Sequence, residues 1–344
     1  MSFHLYGTTM AADETITKSG RETLVLPLDE SLASSLQTNV DYQHETEISL
    51  EGEAGLERHL SLCTKHPKHK EFIPVHRFSI HDLPEDYQDV DIVKLVQTLA
   101  ALTVRVSVTY TSLNRPQFHP RSNAKYPMYE LRGKSVLRTG SGRIWGVRKY
   151  TEDSCPCSKC KSRGEASKVW GRVYVYTATH VVFDSSEGMC SEVLWGYDEV
   201  RRNAKVIQGV AAGVFGDLER DRCILNCVTC DEDLLDKLAQ LVTDYKKLYI
   251  RVFKKYSSSA RDDRLTVVVS HPHGRAKAVT VGCWINRHNF SDQRGLIDTT
   301  YTYNAATCAG SSGAPVFLLG KVWYTLAHSG TSTNGNYSSG GWGV

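Results

Sequence analysis

The chain has 344 residues, enough for one large domain or two smaller ones with hydrophobic cores of their own. Hydrophobic residues make up 41% and charged residues 23%, a globular composition that excludes wholesale disorder. Basic residues number 41 against 38 acidic ones, and a net charge of +3 gives no electrostatic case for a nucleic-acid or anionic-membrane partner.

No apolar run reaches the roughly 18 residues that a transmembrane helix needs, so no membrane partner is expected. The opening residues lack the basic-then-apolar layout of a secretory signal, and an intracellular, cytoplasmic or nuclear, location is the expectation. The ten cysteines are then expected as reduced thiols or metal ligands rather than as a disulfide frame.

Residues 1–86 are polar and weakly periodic, and read as a partly ordered N-terminal α/β extension. Within it, Leu56-Glu57-Arg58-His59-Leu60 is expected as helix and Phe72-Ile73-Pro74-Val75 as an extended piece. Residues 87–135 read as a helix–strand segment leading into the β-rich remainder of the chain. Val90, Val93, Leu95, Val96, Leu99 and Leu102 recur at helical spacing and predict a helix over 89–102. Alternation over 104–109 predicts a strand, and turn residues run from Asn114-Arg115-Pro116 to Tyr126-Pro127.

From 136 onward the pattern is mostly β. Strands are expected at 142–147, 169–176, 223–228, 265–269, 278–282, 315–319 and 322–327. Short strands separated by turn signals suggest a barrel or a sandwich. One helix interrupts them, with Leu234, Leu235, Leu238, Leu241, Val242, Tyr245, Leu248 and Val252 on its apolar face. Asp231, Glu232 and Asp233 lead it and Lys254-Lys255 close it, as the helix dipole favours. The chain therefore divides into a first β unit at 136–232, a connecting helix at 233–258 and a second β unit at 259–344.

The chemistry concentrates in a few short stretches. A serine hydroxyl becomes a nucleophile when a base lies within hydrogen-bond reach, a third group orients the base, and backbone N–H donors face the developing oxyanion. The loop Gly310-Ser311-Ser312-Gly313-Ala314-Pro315 has the small residues that let a backbone turn its donors toward a substrate. Taken alone, such a loop also suits an ordinary surface turn. Tyr176-Thr177-Ala178-Thr179-His180-Val181-Val182 ends a β run with a histidine, and Asp221-Arg222-Cys223-Ile224-Leu225 begins another with an aspartate.

These three stretches resemble the chymotrypsin-like serine peptidases. The nucleophile loop of that family reads Gly-Asp/Ser-Ser-Gly-Gly/Ser/Ala-Pro, its base lies in Thr-Ala-x-His, and its order along the chain is His, Asp, Ser. Thr139-Gly140-Ser141-Gly142-Arg143-Ile144 and Val268-Val269-Ser270-His271-Pro272-His273-Gly274 resemble strand entries of its two barrels. The resemblance covers roughly 136–344. It implies a mainly β fold of two six-stranded antiparallel barrels, with His180 and Asp221 on the first and Ser312 on the second. It implies Ser312 as nucleophile, His180 as general base and acid, Asp221 as orienting group with Asp217 as the alternative, and the N–H groups of Gly310 and Ser312 as oxyanion hole. The substrate would be a protein or peptide, and the chemistry needs no cofactor.

The paired cysteines, activation site and long C-terminal helix of the pancreatic enzymes are missing, and the chain is more similar to glutamyl endopeptidases and viral chymotrypsin-like proteases. Those share a threonine shortly before the nucleophile and a histidine beyond it that bind a Glu or Gln side chain. Thr307 and the stretch Ala327-His328-Ser329-Gly330 match, so that Thr307, His328, Ser329 and Gly330 form the expected specificity set. A hydroxyl and an imidazole can both donate to a carboxylate or amide oxygen. Ala306 stands where a Lys- or Arg-specific pocket would carry an acid. Cleavage after Glu or Gln is the expectation.

Cys155-Pro156-Cys157-Ser158-Lys159-Cys160 offers three thiols in one loop, and Cys190 is the expected fourth ligand of a structural tetrahedral zinc, with free thiols as the alternative. Cys223, Cys227 and Cys230 are expected as small core residues, although Cys227 and Cys230 have a metal-binding spacing. Two further readings are a catalytically silent scaffold on the same fold and a zinc-dependent adaptor built on the Cys155 loop.

Overall fold

The computed structural model describes residues 43–120, 123–164, 167–199, 201–257, 264–291, 297–321 and 326–342. In chain order they form β1 (Gln43–His44), β2 (Glu47–Ser49), α1 (Glu53–Ser61), β3 (Ile73–Pro74), α2 (Val90–Leu102) and β4 (Thr103–Val108). The first barrel continues with β5 (Leu137–Tyr150), α3 (Ser158–Arg163), β6 (Trp170–Thr177), α4 (Ser185–Met189), β7 (Ser191–Trp195), β8 (Lys205–Asp217) and β9 (Arg222–Thr229). Beyond α5 (Glu232–Tyr256) come β10 (Leu265–Ser270), β11 (Ala278–Ser291), β12 (Ile297–Tyr303), β13 (Val316–Leu318), β14 (His328–Ser332), β15 (Gly335–Ser338) and β16 (Gly341–Trp342).

The first sheet runs β5-β4-β7-β8-β9-β6, and β6 pairs back onto β5, which closes a six-stranded antiparallel barrel. A register shift between Ile144 and Gly146 marks a bulge in the 14-residue β5, which bends it so that it pairs with both β4 and β6 in the barrel. Val104, Val106, Val173, Val175, Val193, Ile207 and Leu225 fill the interior. Closure is the physical reason such a sheet has no exposed edge.

The second sheet runs β14-β15-β12-β11-β10-β13. A bridge between Pro315 and Ala327 and the bond from Val316 N to Leu326 O (3.0 Å) return β13 to the start of β14. The molecule is thus mainly β, with two barrels of chymotrypsin-like type and few helices. α5 begins on an Asp231 cap that accepts from Leu234 N at 3.0 Å. It buries Leu234, Leu235, Leu238, Val242, Tyr245, Tyr249 and Val252. It lies against α2, where Lys255 meets Asp89 at 2.6 Å and Arg251 meets Asp91 at 3.1 Å.

Strands β1, β2, β7, β8, β12, β14, β15 and β16 lie outside the predicted set. β14 and β15 are polar and glycine-containing, and β8 exposes Val206 and Phe215, so neither carries a clean alternation. Residues 322–325, most of the expected last strand, lie outside the described residues. Among the described residues no helix is long and apolar enough to cross a membrane.

The stretch 43–86 is woven into the barrels rather than set apart from them. β1 pairs with β14, β2 with β5, and β3 with β11. Glu53 of α1 receives two bonds from the fully buried Arg105 guanidinium, at 2.6 and 3.0 Å.

Candidate active site

His180 follows β6, Asp221 sits in the turn between β8 and β9, and Ser312 lies in the loop between β12 and β13. The two barrels meet there. Ser141 of β5 stitches them: its N–H donates to Ser312 O at 2.7 Å, its hydroxyl donates to Gly310 O at 2.8 Å, and it accepts from His271 N at 2.9 Å. Gly310 has φ +90°, and a Cβ on it would stand 2.5 Å from His271 O, so only glycine fits the loop.

The three side chains form one hydrogen-bonded chain. Asp221 Oδ2 is 2.7 Å and Oδ1 2.9 Å from His180 Nδ1. His180 Nε2 is 2.7 Å from Ser312 Oγ. A carboxylate facing Nδ1 puts the imidazole proton there and leaves Nε2 free to accept from the serine. Asp221 also accepts from His180 N at 3.0 Å and from the Ser329 hydroxyl. Burial works against the Asp221 charge, yet the imidazole of His180, its hydrogen bond, His44 and Ser329 hold the carboxyl well below the usual range. Asp217 is engaged elsewhere, by Arg220 at 3.0 Å and Arg222 at 3.2 Å.

The N–H groups of Gly310 and Ser312 converge on one oxygen. That oxygen is the backbone carbonyl of Glu45, at 2.6 and 3.2 Å. The Glu45 side chain enters a buried pocket, where Oε2 is 2.7 Å from His328 Nε2 and Oε1 pairs with Lys65. Tyr303 OH is 2.6 Å from His328 Nδ1, which leaves Nε2 as the donor to the carboxylate. Thr307 Oγ1 lies 3.4 Å from Lys65 Nζ at the same pocket. Burial pushes the Glu45 carboxyl up, but His328 and Lys65 outweigh it and hold the pKa at about 2. Burial holds His328 below the usual histidine range, against the pull of Glu45.

Thr307 and His328 therefore share one pocket, Gly330 backs the β1 pairing, and Ser329 turns its hydroxyl on Asp221. Ala306 is buried. Glu45, Lys65 and Tyr303 gave no sequence signal. Glu45 and Lys65 lie in the weakly periodic extension, and no motif marks them.

The thiols gather in two places. Cys155, Cys157, Cys160 and Cys230 bring their sulfurs within 4.8 Å of one another. Cys190 stands outside this cluster, exposed at the end of α4. Cys230 replaces it because the β6–β9 ladder carries the end of β9 beneath the loop, beside Trp170 and Val228. Cys223 and Cys227 are fully buried in the first barrel. The second cluster, Cys63, His69, His273 and Cys308, joins the N-terminal stretch to the second barrel.

No family model matches the chain, and no curated protein does. Solved structures do match. The active form of the Rv3671c protease from M. tuberculosis is 16% identical, with 74% of this chain and 82% of that one covered and a TM-score of 0.36. The HtrA-type protease AlgW with decapeptide is 15% identical, with 76% and 64% covered and a TM-score of 0.37.

Proposed function

We propose that the chain is a serine-type endopeptidase that hydrolyses peptide bonds through Ser312, His180 and Asp221. One observation carries the reading. An unbroken chain of bonds runs from a buried carboxylate through an imidazole to a serine hydroxyl, beside two N–H donors aimed at a single carbonyl oxygen. Ser312 Oγ attacks the substrate carbonyl carbon and its proton passes to His180 Nε2. The N–H groups of Gly310 and Ser312 stabilise the oxyanion. His180 then protonates the leaving amine, and water activated by the same imidazole deacylates Ser312.

The favoured residue before the scissile bond is Glu, with Gln as the neutral analogue. A pocket that offers one imidazole donor and one ammonium suits an anionic side chain best. Cys155, Cys157, Cys160 and Cys230 are proposed to hold a structural zinc that pins the long loop after β5.

A fluorophosphonate probe is expected to label the wild type and to leave Ser312→Ala unlabelled. Equal labelling of the two, or none of the wild type, rejects the enzyme. The silent scaffold has one observation in its favour, namely that the cleft is filled by the chain's own residues. The same probe decides between the two.

A further inference from the structure

We propose that Ser312 cleaves its own chain between Glu45 and Thr46, and that the segment 43–49 holds the cleft closed to other substrates until it does. The inference rests on the peptidase reading above and names that site's first substrate. The segment crosses the site as an extended strand bound on both sides. Ahead of Glu45, Gln43 and His44 pair antiparallel with Thr331 and Gly330 of β14. Beyond Thr46, Glu47, Ile48 and Ser49 pair antiparallel with Thr139, Arg138 and Leu137 of β5. One β-ladder lies on the second barrel and the other on the first, and the Glu45 carbonyl sits where they meet. Strand addition of this kind draws its affinity from backbone bonds and its specificity from side-chain pockets.

The pockets are filled as well. Glu45 lies between His328 and Lys65. The His44 ring lies 4.1 Å from the His180 ring, and its Nδ1 donates to Ser329 O, 3.1 Å away. Gly330 admits the strand, since a Cβ there would collide with Gln43 O. An oxygen bound by the N–H of Ser312 itself brings its carbon beside the Ser312 side chain.

The step balances with water as the only co-reactant. Ser312 Oγ bonds to the Glu45 carbonyl carbon and its proton moves to His180. The bond from that carbon to Thr46 N breaks, and Thr46 N takes the proton. Water then cleaves the Glu45–Ser312 ester, leaving a Glu45 carboxylate and a Thr46 amine.

N-terminal sequencing and intact mass of the full chain are expected to find Thr46 as a new N-terminus in the wild type and none in Ser312→Ala. In cell-free synthesis the half-time of cleavage should not change on dilution. Glu45→Lys, which sets a second ammonium beside Lys65, should slow the cut by about 100-fold or more. The same wild-type preparation is tested with the fluorophosphonate probe and with a Gln-His-Glu-Thr peptide. A chain that takes the label and cuts the peptide but keeps its own Glu45–Thr46 bond overturns self-cleavage and leaves the peptidase standing. A chain neither labelled nor cut overturns both. A half-time that shortens with concentration, or an unimpaired Glu45→Lys, overturns cleavage within one molecule at this residue.

A different observation carries a second inference: the geometry points to a zinc ion held by Cys63, His69, His273 and Cys308. The two sulfurs are 3.7 Å apart and Cys308 Sγ is 3.4 Å from His69 Nε2. Thiolates about 2.3 Å from a tetrahedral ion stand about 3.8 Å apart, and a thiolate and an imidazole about 3.5 Å. His273 is buried, its Nδ1 faces Glu47 Oε2 at 2.6 Å, and its Nε2 has no hydrogen-bond partner among the described residues. A carboxylate on one imidazole nitrogen with the other left open is the arrangement of a metal-ligating histidine. Glu47 belongs to β2, so the ion would fasten the segment just beyond the scissile bond.

Metal analysis of full chain grown with zinc should show Cys63→Ser and Cys308→Ser each losing one equivalent relative to the wild type. His69→Ala, at a half-buried ligand, should lose it with the fold intact. Wild-type zinc content that these variants leave unchanged, or wild type without zinc, overturns the site.

Discussion

Replacing Asp221 by Asn is expected to lower the turnover of a Glu-containing peptide by about 10^4-fold while leaving the fold and peptide binding nearly unchanged. The reason is the tautomer. An Asn amide can present its N–H to His180 Nδ1, which shifts the imidazole proton to Nε2. That nitrogen then donates to Ser312 Oγ, where it now stands 2.7 Å away, and can no longer take its proton. Asp221 has φ +51°, a left-handed conformation that Asn tolerates, so the backbone of the turn is preserved. The comparison of kcat with KM, together with an unchanged melting temperature, separates this loss from a collapse of the turn. A drop of less than about tenfold would remove Asp221 from the orienting role.

The second large effect is expected from Glu187→Gln, at about 3–5 kcal/mol of stability. Glu187 is fully buried in α4 and takes bonds from Arg115 Nε to Oε1 at 2.7 Å and from Arg115 Nη2 to Oε2 at 2.8 Å, while Arg138 Nη2 pairs with the same Oε2. Both guanidiniums are buried too. Burial and the neighbouring Arg115 pull Arg138 down to about 10, against the attraction of Glu187. Removing the one anion leaves two cations in a site that water does not reach. The arginines also grip the backbone under the base, since Arg115 donates to His180 O at 3.0 Å and Arg138 to Val181 O at 2.9 Å. Thermal unfolding should therefore drop by about 10 °C, and probe labelling should slow with it. Glu192→Gln, at an exposed position of β7, serves as the control and should change stability by less than about 0.5 kcal/mol.

How legible each feature is in the sequence depends on how local it is. Ser312, His180 and Asp221 lie in short stretches whose residue types answer to backbone demands within a few positions, so a motif marks each one. The helix of α2 and that of α5 carry their apolar stripe and acidic caps in the sequence itself. The fourth sulfur near Cys155 was not legible, because Cys230 arrives through a strand ladder and sequence spacing carries no trace of that pairing. Least legible was the strand through the cleft. β1 has two residues and β2 three, too few for any period. Their register is set by distant partners in β14 and in β5. Polar residues such as His44 and Glu45 look like solvated extension until the cleft that receives them exists.

The strand that bridges the two barrels also bears on timing. A peptide tethered to its own cleft faces it at an effective concentration of the order of millimolar, whatever the abundance of the protein. Once the Glu45–Thr46 bond is cut, the described residues ahead of Thr46 (Gln43, His44 and Glu45) are held by the short β1 ladder and the Glu45 and His44 contacts. They then compete at their bulk concentration alone. Each molecule would thus run a clock that dilution cannot slow, and dilution would make the outcome permanent.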